Sequence, residues 1–167
     1  AGNISQSLIM EDTDDVIING IYKTLTDSEL SPIIQATIRN SFSGFDWLTE
    51  KSSEMNPVLE KIWVNFQEKH QFNPLHSHTG IFSFVIWMDI PYKLEDEYNL
   101  PWVKGSNSPR ASNFMFVDSM GMTTPLEVDK SFEGVCCFFP SSLKHMVYPF
   151  YTSNLKRVSI SGNISYA

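Results

Sequence analysis

Two histidines, His76 and His78, stand one residue apart in NPLHSHTG, at the entrance of the apolar run IFSFVIWMDIP. In extended backbone, side chains at i and i+2 point to one face, so the two imidazoles converge. Neutral imidazole is the commonest metal-ligating side chain. A third histidine, His145, lies in FPSSLKHMVYPF, again where a strand begins. A metal site assembled from two strands is the simplest explanation, although a His-x-His pair by itself is often two solvated or hydrogen-bonded side chains. The weight therefore falls on what else the chain places nearby.

Eleven residues separate His145 from RVSISGN, in which Arg157, Ser159, Ser161 and Asn163 share one face of a strand and Val158, Ile160 and Ile164 the other. A guanidinium inside a fold must be paired, because an uncompensated internal charge is expensive. An anionic small molecule would pair it: a carboxylate accepts two parallel hydrogen bonds from arginine, and a hydroxyl two residues along adds a third. In IWVNFQ, residues Trp63, Asn65 and Gln67 likewise share a face if the segment is a strand, and by themselves Asn65 and Gln67 read as a polar pair at a sheet edge.

The succession of NPLHSH, FPSSLKHMVYPF and RVSISGN resembles the double-stranded β-helix oxygenases that use Fe(II) and 2-oxoglutarate, in which a His-x-acid pair, a distal His and an Arg-x-Ser follow one another. More narrowly it is similar to the members typified by Asn-Pro-x-His-x-His and Phe-Pro-Ser-x-x-x-His segments, a group common in marine bacteria and their phages. The match runs from about Trp63 to Asn163. The resemblance implies a mainly β fold with flanking helices, a double-stranded β-helix of jelly-roll, cupin-like form. It also implies that His76 and His145 ligate iron, and that Arg157 and Ser159 bind the distal carboxylate of 2-oxoglutarate, with Asn65 a further contact.

The departure from the wider superfamily is at the middle ligand, where Asp or Glu would complete a two-histidine, one-carboxylate face. Here His78 stands. It is the third ligand of a three-histidine face, or a substrate or outer contact, or itself the first ligand with Gly80 leaving a position open. The activity implied is hydroxylation of an unknown small-molecule or protein substrate with O2, releasing succinate and CO2. Two alternatives stand beside it: a non-catalytic jelly-roll binding or structural module with a vestigial metal site, and a cupin-type metal enzyme that does not use 2-oxoglutarate.

The elements that must position these residues divide the chain once. Before about residue 60 the pattern leans helical: Asp14 is placed to cap a segment with Ile17, Ile21 and Leu25 at spacing four, Pro32 breaks the pattern, and Ser52 to Lys61 suggests a short helix with Pro57 in its first turn. From Ile62 onward, seven or eight short segments rich in aromatic and β-branched residues read as strands of a sandwich or jelly roll with helices outside. One domain over residues 1–167 is expected, with 1–60 a helical support and 61–167 the jelly-roll core. The long connection from Tyr92 to Arg110 is a candidate active-site lid or binding surface, and its acidic stretch LEDEY (94–98) is expected to be a solvated face.

Composition narrows the partners. A formal charge of -7 and the lack of any basic run argue against nucleic acid. No apolar stretch is long enough to span a bilayer, and AGNISQSLIM lacks the features of a signal peptide, so a soluble, cytoplasmic location in a bacterial or virus-infected cell is expected. Cys136 and Cys137 are adjacent and expected to be buried free thiols. His70, among charged and turn residues, is expected to be a surface histidine, and Trp87 a core residue. Oligomeric state is left open.

Overall fold

The structure is a computed structural model that describes residues 2–26 and 57–166. Among the described residues, ten strands form two five-stranded sheets. One has the order β2 (Gln6–Met10), β3 (Pro57–Gln67), β10 (Arg157–Tyr166), β5 (Phe82–Asp89), β8 (Cys136–Pro140). The other runs β1 (Gly2–Asn3), β4 (Gln71–His76), β9 (Lys144–Val147), β6 (Phe114–Val117), β7 (Thr123–Leu126). Only the β1–β4 ladder is parallel among these pairs. Strands distant in sequence therefore lie side by side, β10 between β3 and β5, as a double-stranded β-helix requires.

Alternation along the strands separates two cores. The outward row of the first sheet, with Ile62, Phe82, Phe84 and Ile164 buried, packs with Ile17 and Ile21 of helix α1 (Val16–Thr26). The inward row brings Val85 and Trp87 of β5 against Phe114 of β6 and Phe139 of β8, filling the space between the sheets. Each of these large side chains contributes about 1.5–3 kcal/mol by leaving water. Trp87 is core, as expected, at 2% exposed.

The helix spacing of four does direct Ile17 and Ile21 to one buried face, but the cap is Asp12 rather than Asp14. Asp12 accepts hydrogen bonds from the N–H of Ile17 (2.9 Å) and of Ile18 (2.8 Å) through its two carboxylate oxygens, while Asp14 sits in a left-handed turn at φ 61°. The helical expectation before residue 60 is also corrected by β1 and β2, which add one strand to each sheet. Residues 57–61 belong to β3, so Pro57 opens a strand and not a helix; Ser52 to Asn56 and Pro32 lie outside the described residues.

The connection over 92–110 contains two short helices, α2 (Leu94–Tyr98) and α3 (Pro101–Lys104). Its acidic stretch is not wholly solvated, because Glu97 is fully buried. The Glu97 carboxylate accepts from the backbone N–H of Tyr151 (2.9 and 3.0 Å) and of Thr152 (2.7 Å) and from the Thr152 hydroxyl (2.6 Å), tying the connection to the segment after β9. Cys136 is exposed and Cys137 half-buried, both free, contrary to the expectation of two buried thiols. The edge position of β8 explains the difference: among the described residues, one side of that strand has no neighbour to cover it.

Gly162 of β10 is required by the outward packing. A Cβ there would lie 2.6 Å from the Phe84 ring and 2.8 Å from Ile62 Cγ2, its register partners on the flanking strands. Gly162→Ala is expected to lower stability by about 1–3 kcal/mol, the usual effect of overpacking, read as a drop in the urea midpoint at unchanged slope.

Candidate functional site

The three histidines meet. His76 ends β4 and His145 sits in β9, directly opposite it in register; His78 follows in the turn, held by donation of its backbone N–H to Ser141 O (2.9 Å). Ring centroids are 4.3 Å apart for His76 and His145, 4.9 Å for His76 and His78, and 5.0 Å for His78 and His145. Their ligand nitrogens all lie within 4.8 Å of one another. Among the described residues this is the one grouping of three or more His, Cys, Asp or Glu side chains that could hold a metal ion.

Local hydrogen bonds prepare two of the rings. His76 Nδ1 faces Pro74 O at 2.7 Å and His145 Nδ1 faces Leu143 O at 3.1 Å. A carbonyl can only accept, so each Nδ1 carries the hydrogen and each Nε2 keeps its lone pair, the arrangement usual in metal-ligating histidines. Burial pushes the His145 ring down to about 4, with the Leu143 bond opposing and the neighbouring histidines adding a little. Burial, then the His76 charge, also lowers His78. Rings held neutral at ordinary pH can donate lone pairs. Phe114 stacks on His145 at 5.2 Å and Phe139 meets it edge-on at 4.9 Å, making the wall around it dry.

The same cavity is lined by Asn65, Gln67, Arg157, Ser159 and Ser161. The cause is register: β10 pairs with β3 so that Arg157 faces Gln67, Ser159 faces Asn65 and Ser161 faces Trp63. Alternation turns all of these inward together. Asn65 donates to the Ser161 hydroxyl (3.3 Å). Arg157 is 3% exposed and bonds Gln67, Tyr92, Ser112 O and Tyr148 O, all uncharged. Among the described residues no Asp or Glu lines the cavity, in contrast with the chain's net charge of -7.

Every sequence-predicted site residue, His76, His78, His145, Arg157, Ser159 and Asn65, thus faces one cavity. His70 is not in the cluster; it is exposed in a turn at φ 69°. The connection over 92–110 contributes no residue to the cavity lining, and Tyr92 reaches Arg157 through its hydroxyl. Two contributors were beyond sequence reasoning. Ser112 and Tyr148 act through main-chain carbonyls, which carry no signature of residue type. Gln67 was on the right face, but nothing in its type marked it as the partner of Arg157.

A double-stranded β-helix with a histidine cluster inside the barrel defines a class of metal-binding jelly rolls, cupins and oxygenases among them. Residues 61–163 match the family described as "Putative 2OG-Fe(II) oxygenase", and the chain belongs to that family. The family implies Fe(II) and 2-oxoglutarate as cofactors, and the His76, His78, His145 cluster fits an iron site. Imidazole suits iron as it suits zinc, copper and nickel.

Two solved structures are similar in fold. One is an oxidoreductase of the 2OG-Fe(II) oxygenase family from Burkholderia pseudomallei, 13% identical, with a TM-score of 0.50 over 88% of this chain and 57% of that one. The other is a Pseudomonas putida prolyl-4-hydroxylase, 11% identical, with a TM-score of 0.51 over 96% of this chain and 71% of that one. The chain thus spans 57% of the length of the first. No curated protein matches it. No helix among the described residues is long and apolar enough to cross a membrane.

A single ion is expected per chain: Co(II) titration of metal-free protein should saturate at one equivalent. His76→Ala and His145→Ala should each weaken binding by more than the about 10–100-fold typical of losing an outer partner of a ligand.

Proposed function

We propose that the chain is a 2-oxoglutarate- and Fe(II)-dependent oxygenase that hydroxylates a small-molecule or protein substrate, consuming O2 and releasing succinate and CO2. His76, His78 and His145 hold the iron, and Arg157 with Ser159 receives the far carboxylate of 2-oxoglutarate. One observation carries this: a single cavity is lined by three clustered imidazoles and by a buried guanidinium that has no carboxylate partner among the described residues. When bound, iron and 2-oxoglutarate together supply the chemistry that activates O2.

The chain's own residues bind, orient and exclude water. Pro74 O and Leu143 O fix the Nδ1 hydrogens of His76 and His145, which turns each Nε2 toward the ion. His78 takes the third position, supported by its ring distances to the other two. With an imidazole at His78 in place of a carboxylate, the three side chains that would hold the ion bring one negative charge fewer, which would favour anionic ligands there. Arg157 supplies a second positive charge in the same enclosure. Asn65 and Ser161, bonded to each other, offer polar atoms along the row between. Phe114, Phe139 and Trp87 keep water away from the reacting centre.

A non-catalytic jelly-roll module is favoured by one observation, that the N–H groups of Arg157 already have acceptors within the chain. The two proposals separate on binding. Anaerobic addition of Fe(II) and 2-oxoglutarate should develop a visible charge-transfer band in the wild type, lost in His145→Ala. No band in the wild type, or an undiminished band in the variant, refutes the oxygenase. Succinate at background across varied substrates, with a stably folded His76→Ala, supports the module.

A further inference from the structure

A guanidinium has five N–H groups, and in Arg157 each has an acceptor. Nε (2.9 Å) and Nη2 (2.5 Å) both donate to Oε1 of Gln67. Nη1 donates to the Tyr92 hydroxyl (2.8 Å) and to Ser112 O (2.7 Å), and Nη2 reaches Tyr148 O at 3.3 Å. A carboxylate grips arginine along one edge by two parallel bonds. Nε and Nη2 form such an edge, and one uncharged carboxamide oxygen holds both.

The two main-chain acceptors cannot easily yield. Ser112 and Tyr148 offer main-chain carbonyls whose residues are anchored, Ser112 N to Pro149 O and Tyr148 N to Asn113 O, both at 2.8 Å. Gln67 is a side chain, 2% exposed, tethered through Nε2 to Gln71 O (2.6 Å) and more weakly to Tyr148 O (3.4 Å). It lines the same cavity as Ser159 and the histidines. No carboxylate among the described residues pairs with Arg157. The buried charge is therefore hydrogen-bonded but not neutralised, a state that a ligand carboxylate would improve.

We propose that Gln67 is an internal competitor for the anion subsite. Its carboxamide oxygen occupies the Nε/Nη2 edge of Arg157, and the far carboxylate of the cosubstrate binds by displacing it, a role that rests on the cosubstrate placement proposed above. Apparent affinity then falls by the fraction of molecules in which the edge is open. A 2-oxo acid without a second carboxylate has nothing to place on that edge, so its binding does not depend on residue 67.

Calorimetric titration of anaerobic, Fe(II)-loaded protein with 2-oxoglutarate and with 2-oxobutyrate tests this. Gln67→Ala, which frees the edge, should tighten 2-oxoglutarate by about fivefold or more. Gln67→Glu, which holds the edge with a charge-assisted bond, should weaken it by about tenfold or more. Affinity for 2-oxobutyrate should stay at the wild-type value in both. Equal or weaker 2-oxoglutarate binding in Gln67→Ala overturns the proposal. So does unchanged binding in Gln67→Glu, which decides alone if the alanine variant melts too low to titrate. Parallel changes for both ligands would mean a structural role only, and also overturn it. The cosubstrate placement fails separately, if Arg157→Met binds 2-oxoglutarate as the wild type does.

Discussion

The antiparallel seating of β10 between β3 and β5 is the constraint on which the rest of the structure depends. A strand with two neighbours has its register determined twice, and a slip of one residue would exchange its faces. Here that exchange would drive Arg157, Ser159 and Ser161 outward and Val158 and Ile160 into a polar cavity. Both rows are costly to misplace, so the inward polar row is held by the outward apolar one. Gly162 belongs to the same device: its missing side chain makes room for the Phe84 ring, letting β10 lie close against its neighbours.

Charge is organised against the grain of the chain. The protein as a whole is acidic, yet among the described residues its inner cavity is lined by histidines, amides, hydroxyls and a guanidinium, without a carboxylate. Desolvation favours the neutral form of His78 and His145, and Arg157 brings a fixed positive charge to the same enclosure. A low-dielectric enclosure of this kind strengthens whatever electrostatic contact is made inside it. The fully used hydrogen bonds of Arg157 reconcile that charge with burial, since an unpartnered guanidinium would not stay inside. The second sheet contributes its part through β4 and β9, whose pairing sets His76 opposite His145.

Much of the site was legible because it is written in residue types at fixed spacing. His76 and His78 are two residues apart, and Arg157, Ser159 and Ser161 continue a period of two, so strand alternation alone groups them. The strand-rich half was legible for the same reason. What escaped was decided by contacts between distant segments. Asp14 looked like a cap, but the chain turned through a left-handed conformation there and Asp12 took the amides. LEDEY looked solvated, but Glu97 found three hydrogen-bond donors on residues 151 and 152. The first ten residues carry too few apolar positions to announce a strand, yet β2 gains its stability from pairing with β3.

By itself the sequence determined the chemistry available: three imidazoles, one buried-face arginine with hydroxyls in phase, and an apolar pattern of period two that commits the second half to sheets. Those properties are local, because side-chain type and backbone alternation extend over only a few residues. Tertiary structure alone decided that residues 76 and 145 stand opposite one another, that Gln67 rather than an acid meets Arg157, and that Tyr92 and the carbonyls of Ser112 and Tyr148 complete its shell. Such partners are chosen by how two sheets close around a common space, and main-chain carbonyls, identical at every residue, leave no mark in the sequence of where they will point.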